Sequence, residues 1–194
     1  MACLSEMDKW TNLSYANVAT TSPKAHLIAC EWAESLARGG AAEFDADAEK
    51  EGMIPLRKST AELLGCPFSD ICVSSSATEI LSSLAWAIAP KNGNIVSTRA
   101  SFPSTVYPWQ RVADEFHSEI RLAPYDENYY TKPNDILSLI DNDTKIVTLS
   151  HVEYACGQRY DLTVFAKAAH EVGALFIVDA TQSMGMVPIN AKES

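Results

Sequence analysis

Ala174-Leu175-Phe176-Ile177-Val178-Asp179-Ala180-Thr181-Gln182-Ser183 is the stretch from which the rest of this chain is read. A short apolar run, set off by Gly173 on one side and by polar residues on the other, has the length and composition of a buried strand. It delivers one carboxylate, Asp179, to the carboxyl end of that strand, and Gln182 follows three residues later. Open α/β sheets hold their ligands at that end. A carboxylate placed there is costly to desolvate unless something pairs with it.

Upstream of this stretch the pattern alternates. Residues 161–172 read as a helix with Asp161 as an acidic N-cap and Gly173 as terminator, and residues 145–151 as a strand rich in β-branched residues. Residues 134–140 give a short helix, 119–122 a strand, 103–116 a helix that begins at a proline, 94–98 a strand, 78–88 an apolar helix and 71–74 a short first strand. Strands and helices in strict alternation predict an α/β fold, a mostly parallel open sheet with helices on both faces, here with five strands. Ahead of the sheet, Ser22 is an N-cap and Pro23 suits the first helical position. Leu27, Ile28, Trp32 and Leu36 fall on one helix face, which Gly39-Gly40 ends. A second helical pattern covers residues 45–64, with Pro55 as a break or bend, and the charge-rich run 43–51 is a solvated face. Residues 1–40 are therefore expected to form an arm and helix, and residues 41–194 a large ligand-binding domain.

Composition narrows the function classes. The chain has 194 residues, is 47% hydrophobic and 21% charged, and carries a net charge of −10. That is a globular composition with enough apolar surface for a core. Lys and Arg are scattered rather than gathered into a stripe, so a nucleic-acid partner is not expected. No run of eighteen apolar residues suggests a membrane span, and the first residues show neither the basic nor the apolar part of a signal peptide. Cys3, Cys30, Cys66, Cys72 and Cys156 are odd in number and lack paired zinc spacing, which predicts free thiols and a cytoplasmic setting.

Four segments carry candidate chemistry, each with a plainer alternative. Ser74-Ser75-Ser76-Ala77-Thr78-Glu79 leads into a helix. Its small residues, free N–H groups and the Thr78 hydroxyl would receive a phosphate, or the turn is an ordinary serine-rich cap. Phe102, in Phe102-Pro103-Ser104-Thr105, follows a strand. It would lie flat on a pyridine ring, worth roughly 1 kcal/mol beyond area burial, or pack as a core phenylalanine. In His151-Val152-Glu153-Tyr154-Ala155-Cys156-Gly157 the H-x-E pattern lacks the P-C-x-x-C of zinc deaminases, so a zinc site is rejected. A Cys/His nucleophile pair there is weak, because neighbours at a strand end need not face each other. Tyr154 would donate to a cofactor oxygen or be structural. Asp179 would pair with a pyridinium N–H, a charge-assisted bond of roughly 1.5–3 kcal/mol, or cap a loop or bind a metal. Gln182 would reach a cofactor's phenolic oxygen or lie on the surface. A nucleotide-binding reading lacks the glycine fingerprint.

Taken together and in order, these segments resemble the class V aminotransferase group of fold-type-I, pyridoxal 5′-phosphate (PLP) dependent enzymes. That group includes cysteine desulfurases, selenocysteine lyases and, more distantly, kynureninases. Ser76-Ala77-Thr78-Glu79 looks like its phosphate turn, Phe102 falls at its ring-stacking position and Tyr154 where many members place an asparagine. Asp179-Ala180-Thr181-Gln182 is similar to its D-x-x-Q motif, and Tyr15-Ala16-Asn17-Val18-Ala19 looks like its substrate-lining entry segment. The resemblance implies a PLP cofactor held by Ala77, Thr78, Phe102, Tyr154, Asp179 and Gln182, and a small amino-acid substrate. It leaves transaminase-like and lyase-like chemistry, or a non-catalytic PLP- or phosphate-binding module, open.

Two departures qualify the resemblance. Desulfurases use histidine where this chain has Phe102, which cannot handle protons. Kynureninases share a phenylalanine followed by proline there, but usually carry an aspartate at the position of Thr105. The family's Schiff-base lysine lies roughly twenty or more residues past the glutamine, whereas Lys192 is only ten past Gln182 and reads as a surface residue. The chain is therefore expected to be an N-terminal portion with little or no turnover, and no catalytic residue is assigned. Two family strands between segments 71–74 and 174–179 would be absent, a gap of roughly 14 Å between unpaired edges. Exposed edges predict self-association, as a homodimer, or collapse of the gap.

Overall fold

A computed structural model describes residues 11, 13, 14, 16–42, 46, 47 and 52–191. Tyr15, Lys192 and most of the charged run 43–51 lie outside these, and with them part of the expected entry segment and the surface lysine. The chain divides into two compact units, Met1–Pro55 and Leu56–Ser194. Among the described residues no helix is long and apolar enough to cross a membrane.

In the first unit, helix α1 (Pro23–Gly39) starts where the Ser22 Oγ accepts from the Ala25 N–H at 3.2 Å and stops at Gly40, whose φ of 53° leaves the helical region. Its apolar stripe, Leu27, Ile28, Trp32 and Leu36, faces solvent.

The second unit contains the sheet. Helix α2 (Ile54–Leu64) has Pro55 as its second residue, where a missing N–H costs nothing. The expected break at Pro55 is therefore a helix start. There follow α3 (Ala77–Ala87), β1 (Asn94–Thr98), α4 (Pro103–Phe116), β2 (Glu119–Ala123), α5 (Pro133–Leu137), β3 (Thr144–Ser150), α6 (Leu162–Glu171) and β4 (Leu175–Asp179). All strand pairs are parallel, in the order β2-β1-β3-β4. Successive side chains of a strand face opposite ways, so β1 and β3 feed two cores. Val96, Val147 and Leu149 pack with Ile136 of α5 and with Phe165 and Ala169 of α6, while Ile95 and Ile146 pack with Ala85 of α3 and with Trp109, Val112 and Ala113 of α4. Helices cover both faces, as an open parallel sheet requires.

Among the described residues the sheet has four strands rather than the five expected. Residues 71–74 are not a strand, and the backbone of Ile71, the first of them, is engaged elsewhere. Its N–H donates to the Phe68 carbonyl at 3.3 Å and its own carbonyl accepts from Arg57 Nε at 2.9 Å, with the guanidinium lying over the Phe68 ring. The gap drawn between that segment and β4 therefore has no strand on its far side among the described residues.

Candidate functional site

β1 has β2 on one side and β3 on the other, so the connections leaving β1 and β3 diverge. In a parallel sheet this is the point where a crevice opens beyond the carboxyl ends of the strands. Ser101 and Phe102 lie in the connection after β1, residues 151–161 in the connection after β3, and Asp179 ends β4 opposite Ser150.

Asp179 is held by its neighbours on three sides. Its carbonyl accepts from the His151 N–H at 2.9 Å, Oδ2 accepts from the Thr105 hydroxyl at 2.7 Å and Oδ1 from the Thr181 N–H at 2.9 Å. Thr105 is fully buried in the first turn of α4, and its own N–H donates to the Phe102 carbonyl at 2.8 Å. One hydrogen-bonded path thus joins Phe102 to the Asp179 carboxylate. The Phe102 ring is 46% exposed, so it is not a core residue. It meets the half-exposed Tyr154 ring edge-on, with centroids 5.1 Å apart and planes at 86°.

The start of α3 reaches the same region through a hydroxyl pair, Thr78 Oγ1 to Ser104 Oγ at 2.7 Å. Ala77 and Thr78 are exposed. Ser76 caps the helix by accepting from the Glu79 N–H at 3.2 Å. The donors before it converge on Glu79 Oε2: the Ser74 hydroxyl at 2.6 Å, the Ser75 N–H at 3.2 Å and the Ser75 hydroxyl. The two hydroxyls, Ser74 foremost, and the amide hold the Glu79 carboxyl below its usual range. Gln182 lies part-buried in the turn that follows β4.

The connection after β3 turns back on itself. Val152 bridges Arg159, the Glu153 N–H donates to the Gln158 carbonyl and the Gly157 N–H to the Glu153 carbonyl, both at 2.9 Å. Glu153 is 1% exposed and accepts from the Ser101 hydroxyl at 2.9 Å. Burial pushes its carboxyl up to about 7, against the pull of the Ser101, Tyr160 and Ser150 hydroxyls and with the nearby Asp179 charge adding to the rise. Burial, and secondarily the charge of Arg159, lowers the buried His151. Cys156 Sγ donates to the Tyr129 carbonyl at 3.3 Å. Among the described residues no three His, Cys, Asp or Glu side chains gather as a metal site would require. Ser101, Ser104 and Glu153 were not singled out from the sequence. An acid three residues past a buried strand and beside an aromatic residue is the available signal for Glu153.

Residues 20–194 match the family model described as aminotransferase class-V. The chain is 26% identical over 137 residues to a probable cysteine desulfurase of Methanothermobacter thermautotrophicus, covering 70% of this chain and 34% of that one. It is 27% identical over 184 residues to a kynureninase of Pseudomonas fluorescens, covering 91% and 42%. A solved structure of C-DES, with glycine covalently linked to its PLP cofactor, superposes with a TM-score of 0.77 at 19% identity, covering 92% of this chain and 48% of that one. The chain thus spans less than half the length of each of these proteins.

Proposed function

Because this chain belongs to the class V aminotransferase family, we propose that the carboxyl edge of its sheet is a PLP site and that the chain contributes the cofactor-binding part of an enzyme acting on an amino acid. The observation that supports this is the path from the Phe102 carbonyl through Thr105 to Asp179, which brings the carboxylate to the first turn of the helix that the half-exposed Phe102 precedes. The residues fit the ring end of the cofactor. Asp179 uses two of its roughly four acceptor sites on Thr105 and Thr181, leaving capacity for a pyridinium N–H. Ala77 and Thr78 would receive the phosphate, Phe102 the ring face, and Tyr154 and Gln182 the phenolic oxygen. A phosphate at the start of α3 competes with the Glu79 carboxylate for the Ser75 donors, so that end opens only as Glu79 withdraws.

When bound, PLP supplies an electron sink for bonds at an amino acid's α-carbon. The chain's own share is to bind and orient. With the cofactor bound, Asp179 would pair with its ring nitrogen, Phe102 would cover one ring face and keep water from it while Tyr154 braces Phe102 edge-on, and Thr78 would anchor the far end. Aminotransferase chemistry is the leading assignment. A desulfurase-like or kynureninase-like lyase stands beside it, favoured by the relatives, of which the kynureninase aligns over 91% of this chain. The free thiols Cys30, Cys66, Cys72 and Cys156 suit a cytoplasmic setting. Equilibrium dialysis against pyridoxamine 5′-phosphate, which has no aldehyde to react with surface lysines, tests the site. Thr78→Ala combined with Asp179→Ala should weaken binding at least roughly tenfold. Affinity untouched by both substitutions would remove the assignment, and with it the choice of this cleft over a non-catalytic module.

A further inference from the structure

The α4 face of the sheet holds three polar groups that no other described residue satisfies. Ile95 of β1 and Ile146 of β3 pack with Trp109 of α4. Alternate residues of a strand share a face, so Ser97 and Thr148, the next in each series, lie on that same face. The pairing of Val96 with Val147 sets them side by side on neighbouring strands. Ser97, Thr148 and Trp109 are fully buried, and Ser97 Oγ, Thr148 Oγ1 and Trp109 Nε1 have no hydrogen-bond partner among the described residues.

The three also lie at one level. α4 starts at the carboxyl end of the sheet, where Thr105 meets Asp179 at 2.7 Å, and runs back over β1 and β3. Trp109 is one helical turn on, about 6 Å along α4. Thr148 and its partner Ile177 lie one pleat behind the Ser150–Asp179 pair, about 7 Å along the sheet. The indole is therefore at the height of Thr148 and Ser97. One layer further in, Ile95 and Ile146 fill the space under the helix. Serine and threonine are smaller, so their layer fills less of it. The chemistry of the set selects an occupant. An indole N–H only donates, whereas each hydroxyl can also accept. None of the three is charged, and the carboxylate one layer up, Asp179, is already held by Thr105 and Thr181. A water molecule accepts from the indole and donates to both hydroxyl oxygens, the about three hydrogen bonds typical of a buried water.

We propose that Trp109, Ser97 and Thr148 form a site for one internal water, and that this water seats α4 on the sheet and so holds Thr105 against Asp179. Trp109 and Thr105 are neighbours one turn apart on the same helix face, so the seat of one fixes the height of the other. Trp109 is thus a positioning residue that acts through Thr105. The water site stands apart from the cofactor reading; only its effect on ligand affinity rests on that reading.

The test is NMR on the whole chain, isotope-labelled on tryptophan and aspartate, with Trp109→Phe assigning the indole signal among the four tryptophans. In wild type the Trp109 indole proton should show a direct cross-peak to a long-lived water. Ser97→Ala combined with Thr148→Val, which keeps the branched shape and removes the hydroxyl, should abolish that cross-peak. Thr148→Ser keeps the hydroxyl and should retain it. In the double variant the Asp179 carboxyl signal should move toward the value it takes in Thr105→Val, and pyridoxamine 5′-phosphate affinity should fall about threefold or more. A wild-type indole proton with no contact to water overturns the site without any variant having to fold, and so does a cross-peak that survives in the double variant. Loss of the water with an unmoved Asp179 signal overturns the positioning role. A lost water and a moved Asp179 signal, in a chain whose wild type binds no pyridoxamine 5′-phosphate, uphold the seat and remove the cofactor reading instead.

Discussion

Asp179 and Thr105 stand 74 residues apart in sequence and 2.7 Å apart in the fold. Thr105→Val keeps the buried shape and removes the donor. It should cost about 1–2 kcal/mol in chemical denaturation and weaken pyridoxamine 5′-phosphate binding, and Thr105→Ser should recover most of both. Asp179→Asn removes the charge that a pyridinium requires, and binding should fall roughly tenfold or more. Glu153 links pH to stability. The fold raises its carboxyl from the usual 4.5 to about 7, so the folded chain keeps a proton that the unfolded chain has released. Its contribution is fully present below pH 4.5 and lost as pH rises through about 7, a fall of about 3 kcal/mol at most. Denaturation midpoints across that window should decline in wild type relative to Glu153→Gln; parallel curves would show the carboxyl to be ordinary. The places of Asp179, Phe102 and Thr78, at the end of a strand or the start of a helix, were legible in the sequence because those boundaries are written in local periodicity. Glu153 was not, because its burial depends on Ser101 and on the fold of a distant connection.

Local chemistry also explains which elements were legible. Strand 94–98 and helix 103–116 match the expected bounds, since a run of Ile95 and Val96 bounded by Gly93 and a proline at the first helical position act over a few residues. Segment 71–74 carries the same kind of apolar run, yet a strand is defined by its partner, and here Arg57 and Phe68 take the backbone groups of Ile71. No local pattern reports that competition. Gly93 makes the complementary case. Its φ is 79° and an added Cβ would run into the Asp143 carbonyl oxygen, next to the Asn94 N–H that this same carbonyl accepts at 3.0 Å. Gly93→Ala should therefore destabilise by roughly 2–3 kcal/mol, read as a lower midpoint in urea. A change below about 0.5 kcal/mol, the range of ordinary surface substitutions, would mean that the entry to β1 relaxes freely.

For the molecule as a whole, the sheet ends at β2 and β4, each paired on one side only among the described residues. Unpaired edges recruit other strands, and Leu175 on β4 is 54% exposed. We propose that the chain self-associates through such an edge. Light scattering should give a mass that rises with concentration, and Leu175→Lys should lower it; a concentration-independent monomer in wild type contradicts the proposal. The resemblance read from the ordered motifs carried the fold class and the family, which the family model over residues 20–194 bears out. The measurement that bears most directly on the site is an NMR search for contacts between the pyridine ring protons of pyridoxamine 5′-phosphate and the protein's aromatic rings. Cross-peaks to Phe102 and Tyr154, lost in Asp179→Asn, are the predicted result. A bound ligand whose ring touches neither residue would contradict the account.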